Sequence, residues 1–188
     1  VPIVAPPPDI ASAAGRFTIS NVRGFAYDEA RGVLYFSTIQ HIYRWSVSEQ
    51  AFVDPIDIGG VSFGDICISP DGQHLFVTER QTGDSGTDTP QVTIYRVSLD
   101  DFSVENLTFT GEWADRPGAV DVTVLGDGTG LLNTDSFGSA FRPLRSFDAF
   151  APTLVPIEVP TPGPAGIPDT SRLVSSELGR YALVLEGD

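Results

Sequence analysis

An all-β protein is what this sequence of 188 residues predicts, and three observations carry the prediction. Apolar residues alternate with period two in short runs rich in Val, Ile, Phe and Tyr, the pattern of half-buried strands. Nineteen Gly and fifteen Pro punctuate those runs and leave little room for long helices. One strand-turn-strand plan recurs along the chain, and recurrence at this spacing marks a repeat architecture.

The repeat opens with "GFAYDEARGVLYFST" (24–38): an alternating strand, a polar turn with Gly, and a second strand ending in Ser/Thr. "DICISPDGQHLFVTE" (65–79), "DVTVLGDGTGLLNTD" (121–135) and "RLVSSELGRYALVLE" (172–186) follow the same plan. Their starts, Gly24, Asp65, Asp121 and Arg172, lie 41, 56 and 51 residues apart. In the second turn, Ser69-Pro70-Asp71-Gly72, Pro presets φ, Asp caps locally and Gly takes positive φ, so this is a hairpin rather than an ion loop. An EF-hand would require a bidentate Glu closing a twelve-residue loop, with flanking helices. The second halves match too: "IYRWSVSEQAFVDPIDI" (42–58) aligns with "IYRVSLDDFSVENLTFT" (94–110). "PLRSFDAFAPTLVPIEV" (143–159) is a weaker echo that sets Arg145 opposite Arg44 and Arg96. "EQAF" and "DDFS" are read as hairpin loops.

Four short strands recurring every 40–55 residues predict a β-propeller of four-stranded antiparallel blades. The blades span about 21–60, 61–111 and 118–160, with a partial fourth over 169–188, after a Pro-rich arm at 1–15. Residues 160–168, "PTPGPAGIP", form an extended connector. Two readings of the half blade follow. The chain is a piece of a larger propeller, or "VPIVA" (1–5) and "RFTIS" (16–20) close a four-bladed ring; a naked sheet edge is what either arrangement avoids.

The phrase "ISPDGQHLFVTE" followed by "VTIYRVS" resembles the blade pattern of the YVTN-type and lactonase-like seven-bladed propellers, a superfamily with quinoprotein-like members. The resemblance covers 16–188 as repeats and implies architecture alone. Such propellers include lactonases, dehydrogenases, phytases and proteins that only bind, so the fold does not choose an activity. The third unit departs from the pattern at "NTDSFGSAFRP", and Pro143 and Pro152 interrupt its outer strands.

A net charge of −14 argues against nucleic-acid binding, because phosphates would be repelled. No window approaches the roughly eighteen apolar residues of a membrane-spanning helix, so no transmembrane segment is expected. All eleven basic residues are Arg, and Met is absent even from position 1, which implies loss of an initiator Met, a signal peptide or an upstream region. An acidic, Lys-free chain fits an extracytoplasmic protein (periplasmic, cell-surface or secreted), a salt-adapted one or a GC-rich genome. The extracytoplasmic setting is the expectation. Cys67 stands alone, so no internal disulfide forms, and its alternating apolar run makes it an inert core thiol.

Propeller ligands gather where inner strands are entered and second strands are left. The inner-strand entries are Gly24, Asp65, Asp121 and Arg172, and the exits are Thr38, Glu79, Asp135 and Glu186. Asp65, Glu79, Asp121 and Asp135 are the candidate metal ligands, for Ca²⁺, since hard oxygen donors suit that ion. The bland account is that such Asp residues cap backbone amides and the exit carboxylates are solvated. Loop 79–91, with Asp84 and Asp88, is a second candidate binding segment. His41 and His74 fall at different repeat positions and do not form a dyad. The Tyr-Arg pairs at 43–44 and 95–96 predict Arg stems packed on a neighbouring blade. The function expected is a non-catalytic binding or scaffolding propeller, with a protein partner or further blades completing it. The alternative is a metal-dependent, lactonase-like hydrolase.

Overall fold

In a computed structural model the chain is described at residues 19–59, 62–80, 90–111, 118–134, 141–160, 167–168, 172–175 and 182–185. At 141–142, 167–168, 172, 175 and 182–185 the description covers backbone alone. Blade 1 is β1 (Gly24–Asp28), β2 (Val33–Ser37), β3 (Ile42–Ser46) and β4 (Ala51–Ile56), hydrogen-bonded in that order. Blade 2 repeats it with β5 (Phe63–Ile68), β6 (His74–Glu79), β7 (Gln91–Ser98) and β8 (Val104–Thr110). Blade 3 contains β9 (Ala119–Val124) and β10 (Thr129–Thr134), then β12 (Leu144–Asp148) and β13 (Ile157–Glu158). A short ladder of β11 (Phe141–Arg142) with β14 (Ile167–Pro168) stands apart from that sheet and ties the connector to the β10–β12 loop. The fourth unit is the antiparallel pair β15 (Arg172–Ser175) and β16 (Ala182–Leu185). The chain thus folds as β-propeller blades. The strand proposed at 1–5 lies outside the described residues, as does most of 16–20; Ile19 and Ser20 form no strand.

Aspartate makes the turns. The carboxylates of Asp57, Asp71, Asp101, Asp127 and Asp148 each accept the backbone N–H two residues on, at 2.9–3.0 Å. This local bond offers the backbone a turn in place of a ladder. Ser69-Pro70-Asp71-Gly72 is the hairpin expected. Gly72 N–H donates to the Ser69 carbonyl at 2.8 Å, the Ser69 hydroxyl donates to Asp71, and Gly72 has φ +69°. "DDFS" lies in a hairpin turn as well, whereas in "EQAF" the turn ends at Gln50 and Ala51 and Phe52 already belong to β4; each turn passes through a left-handed residue, Gln50 or Phe102.

Period-two alternation gives every blade two apolar faces. In blade 2, Leu75, Val77, Tyr95 and Val97 point back to blade 1, where they meet Tyr35, Ile42 and Ile56. Phe76, Val92 and Ile94 point forward and pack with Val122, Leu132 and Phe147 of blade 3. Leu173 of β15 closes a smaller cluster with Leu144 and Leu131.

Polar contacts fix each seam. The Ser37 hydroxyl, at the inner end of β2, donates to the Gly64 carbonyl of blade 2, and Thr78 of β6 donates to the Val120 carbonyl of blade 3 at 3.0 Å. A methyl at Gly64 would collide with the Thr78 hydroxyl and the Val120 carbonyl, so this close approach requires glycine. Arg44 lays its guanidinium over the Phe102 ring in the β7–β8 turn. Arg96 donates to the carbonyls of Ala149 and Ala151 in the β12–β13 turn, at 2.7 and 3.1 Å. Both arginines reach the next blade, as the sequence implied.

Arg145 does not, and this corrects the alignment. The turn of unit 3 loops through three residues, because Leu125 N–H bonds the Thr129 carbonyl; unit 2 loops through four, with Ser69 bonded to His74. Everything after that turn is displaced by one residue. Arg145 therefore sits opposite Leu132, where Tyr95 sits opposite Val77, and it points back over the Phe109 ring of blade 2. A one-residue slip exchanges sheet faces. Pro152 lies in the β12–β13 turn rather than in a strand, and Pro143 between β11 and β12.

Replacing Thr78 by Val keeps the shape and strands the Val120 carbonyl. Thr78→Val is expected to cost about 1–2 kcal/mol, measured by urea unfolding. Thr108→Val, which removes an exposed hydroxyl on β8, should cost a few tenths at most.

Candidate functional site

Where blades meet the axis, side chains crowd and small or β-branched residues are favoured. Four inner strands, β1, β5, β9 and β15, flank an open trough of about 580 Å³. Arg23, Phe25 and Tyr27 enter it from blade 1, Asp65 and Cys67 from blade 2, Val122 and Thr123 from blade 3, and Leu173 and Val174 from the fourth unit. Phe25 is 70% exposed and Tyr27 51%, although each belongs to an inner strand.

The three candidate metal ligands that lie among the described residues occupy different settings. Asp65 lines the trough, half-buried. Asp121 takes the equivalent place in blade 3 and is fully buried; its carboxylate accepts from Asn133 Nδ2 at 3.0 Å, while its own N–H donates to Asn133 Oδ1 at 2.9 Å. Asn133 stands here where Ser37 and Thr78 stand in the earlier blades, a second consequence of the shortened turn. Glu79 is hydrogen-bonded to the Tyr95 phenol, and burial followed by that charge pushes the phenol above its ordinary pKa. Asp135 lies outside the described residues, as do Glu186 and the central part of loop 79–91 with Asp84 and Asp88. Arg172 is described by its backbone alone. Among the described residues, no three His, Cys, Asp or Glu side chains converge to hold a metal ion. The fourth exit residue, Thr38, is turn chemistry: its hydroxyl bonds the His41 carbonyl at 3.0 Å.

The histidines stand apart. His41 meets Tyr43 edge-on in blade 1, and His74 lies between Phe76 and Phe150 at the seam of blades 2 and 3. What sequence reasoning missed is the exposed aromatic pair, Phe25 and Tyr27. The signal was present: unit 1 carries aromatics at positions where unit 2 carries Ile66 and Ile68.

No known protein family and no curated protein matches the chain. Among solved structures it is similar to the β-propeller domain of Cps50 (Swd1) from Myceliophteria thermophila, with a TM-score of 0.60 and 9% identity. The similarity covers 89% of this chain and 50% of that one, so the chain spans about half the length of the propeller domain it matches. At that identity the likeness shows the fold alone. Among the described residues no helix is long and apolar enough to cross a membrane.

Cys67 packs against the core between blades 2 and 3. Burial, with the Asp65 charge adding to it, pushes its thiol far above the ordinary range. At pH 8 the native thiol is expected to react with an aromatic disulfide reagent at least about tenfold more slowly than after unfolding in urea. Equal rates would show Cys67 ionised and open to solvent.

Proposed function

We propose that the chain is a non-catalytic β-propeller module that holds protein surfaces together in an extracytoplasmic setting. One observation carries this reading. Among the described residues, the large apolar side chains left exposed belong to the first, third and fourth units. Val22, Phe25, Tyr27 and Val47 belong to blade 1, Phe150, Val155 and Ile157 to blade 3, and Val174 to the fourth unit, where it shares the trough with Phe25 and Tyr27. Among its described residues blade 2, covered on both faces, exposes none of this kind. Large exposed apolar side chains on a protein of net charge −14 mark a contact site. The YVTN-like blade pattern and the acidic, Lys-free composition support the extracytoplasmic setting.

Peptides selected from a random displayed library should bind the wild-type chain and lose at least about tenfold in affinity to Phe25→Ser or Val155→Ser, with melting unchanged. A library that yields no binder, or binders indifferent to both substitutions, contradicts the reading.

The hydrolase alternative draws on Asp65 and Asp121, which hold equivalent places on neighbouring inner strands. It predicts that Ca²⁺ raises the melting temperature saturably and that Asp65→Asn abolishes the rise. The non-catalytic reading predicts no saturable shift.

A further inference from the structure

Blade 2 has both faces covered, and what it leaves open is its outer edge. β8 is the outermost strand, and among the described residues no strand pairs with the side turned away from β7. Its seven residues pair with β7 in unbroken register, from Val104 opposite Val97 to Thr110 opposite Gln91. The outermost strands of the neighbouring blades are interrupted or short. β4 carries Pro55 and its ladder with β3 shifts register, and β13 is two residues long. A long, regular edge is a template for pairing with another sheet unless charge, proline, a bulge or a covering group blunts it. β8 has neither proline nor bulge, and Glu105 is its one charge.

Near the middle of that edge stands Asn106-Leu107-Thr108, the Asn-x-Thr acceptor sequence for N-linked glycosylation. The chain holds three asparagines, and this is the one followed two residues later by Ser or Thr. The other two have conformational roles. Asn133 is fully buried and donates to Asp121 at 3.0 Å, and Asn21 takes a left-handed conformation in a turn. Asn106 has no such role. Strands are depleted in asparagine, yet it stands exposed opposite Tyr95, and its carboxamide makes no hydrogen bond to a described residue. Alternation puts exposed Thr108 on the same face and turns Leu107 into the core between blades 2 and 3. Both side chains of the motif are therefore at the surface, with Leu107 as their anchor.

We infer that Asn106 carries an N-linked glycan, which covers the outer edge of blade 2. In the transfer, Nδ2 bonds to the anomeric carbon of an oligosaccharide held on a lipid diphosphate. The carbon–oxygen bond to the carrier breaks, the diphosphate leaves with the bonding pair, and Nδ2 gives up one proton. This chemistry belongs to a secretory lumen, so the proposal rests on the extracytoplasmic reading and adds a modification to it. A bulky, hydrated sugar chain beside the edge excludes a second strand. It does so without disturbing the seams, whose contacts lie on the apolar faces of the blades.

Secretion of the whole chain from eukaryotic cells behind a cleaved signal peptide tests this, with intact mass and peptide mapping of protein pooled from medium and cells. The expected mass exceeds that of the chain by a core oligosaccharide, and an amide-cleaving glycosidase should remove the excess and convert that asparagine to aspartate. Asn106→Gln and Thr108→Val should each lose the glycan, while Thr108→Ser keeps it. Circular dichroism melts verify that the variants are folded. On mild heating, Asn106→Gln should aggregate at least about twofold faster than the glycosylated chain, measured by light scattering. A folded, secreted chain with Asn106 unmodified overturns the inference and leaves the extracytoplasmic module standing. A glycan whose loss leaves aggregation unchanged overturns the covering role. Wild type and Asn106→Gln alike unfolded and retained in the cell contradict the extracytoplasmic reading, and the inference falls with it.

Discussion

The apolar seam between blades is the contact on which this structure depends. A four-stranded blade has two greasy faces and no interior of its own, so it is stable when another blade covers each face. Burying one Leu, Val or Phe side chain yields roughly 1.5–3 kcal/mol, and each seam buries several. A hydroxyl-to-carbonyl bond such as Thr78 to Val120 contributes about 1 kcal/mol net. The seams therefore supply the free energy and the polar latches set the register. Ser37 and Thr78 hold neighbouring inner strands at a spacing that a side chain on Gly64 would break.

This hierarchy explains how much of the fold was legible. Alternation showed the strands because each blade face must be apolar, and Gly72 and Asp71 showed their hairpin because the turn needs their conformations. The acidic composition was legible in part: Asp71, Asp101, Asp127 and Asp148 are spent on turn amides. What the repeat concealed was a turn shorter by one residue after Leu125. Matching letters set Arg145 beside Arg96, and the pairing sends the two side chains to opposite faces. Period-two structure makes a single-residue change invisible in composition and decisive in space.

Of the candidate site, the sequence made the inner strands legible and not the settings of the carboxylates on them. Of the inner-strand entries, Gly24 and Asp65 line the trough, whereas Asp121 is buried behind it. Asp121 is fixed by Asn133, a partner that becomes evident when the register is known. Phe25 and Tyr27 were read as strand formers, since aromatic residues suit a strand whether or not a neighbour covers them. Exposure depends on what lies beside the blade, which one blade's sequence does not encode. The functional reading follows from that difference: surface that blade 2 buries, blade 1 presents.

Native-state hydrogen exchange tests the seam account most directly, because it reads the opening of each blade separately. Blade 2 has both faces covered, so the account predicts maximal amide protection in β5, β6 and β7, with β9 and β10 close behind, and protection falling toward β1 and toward β15–β16. In a chain of nearest-neighbour units the ends fray first. Uniform protection in all blades, or a maximum in β15–β16, would contradict it.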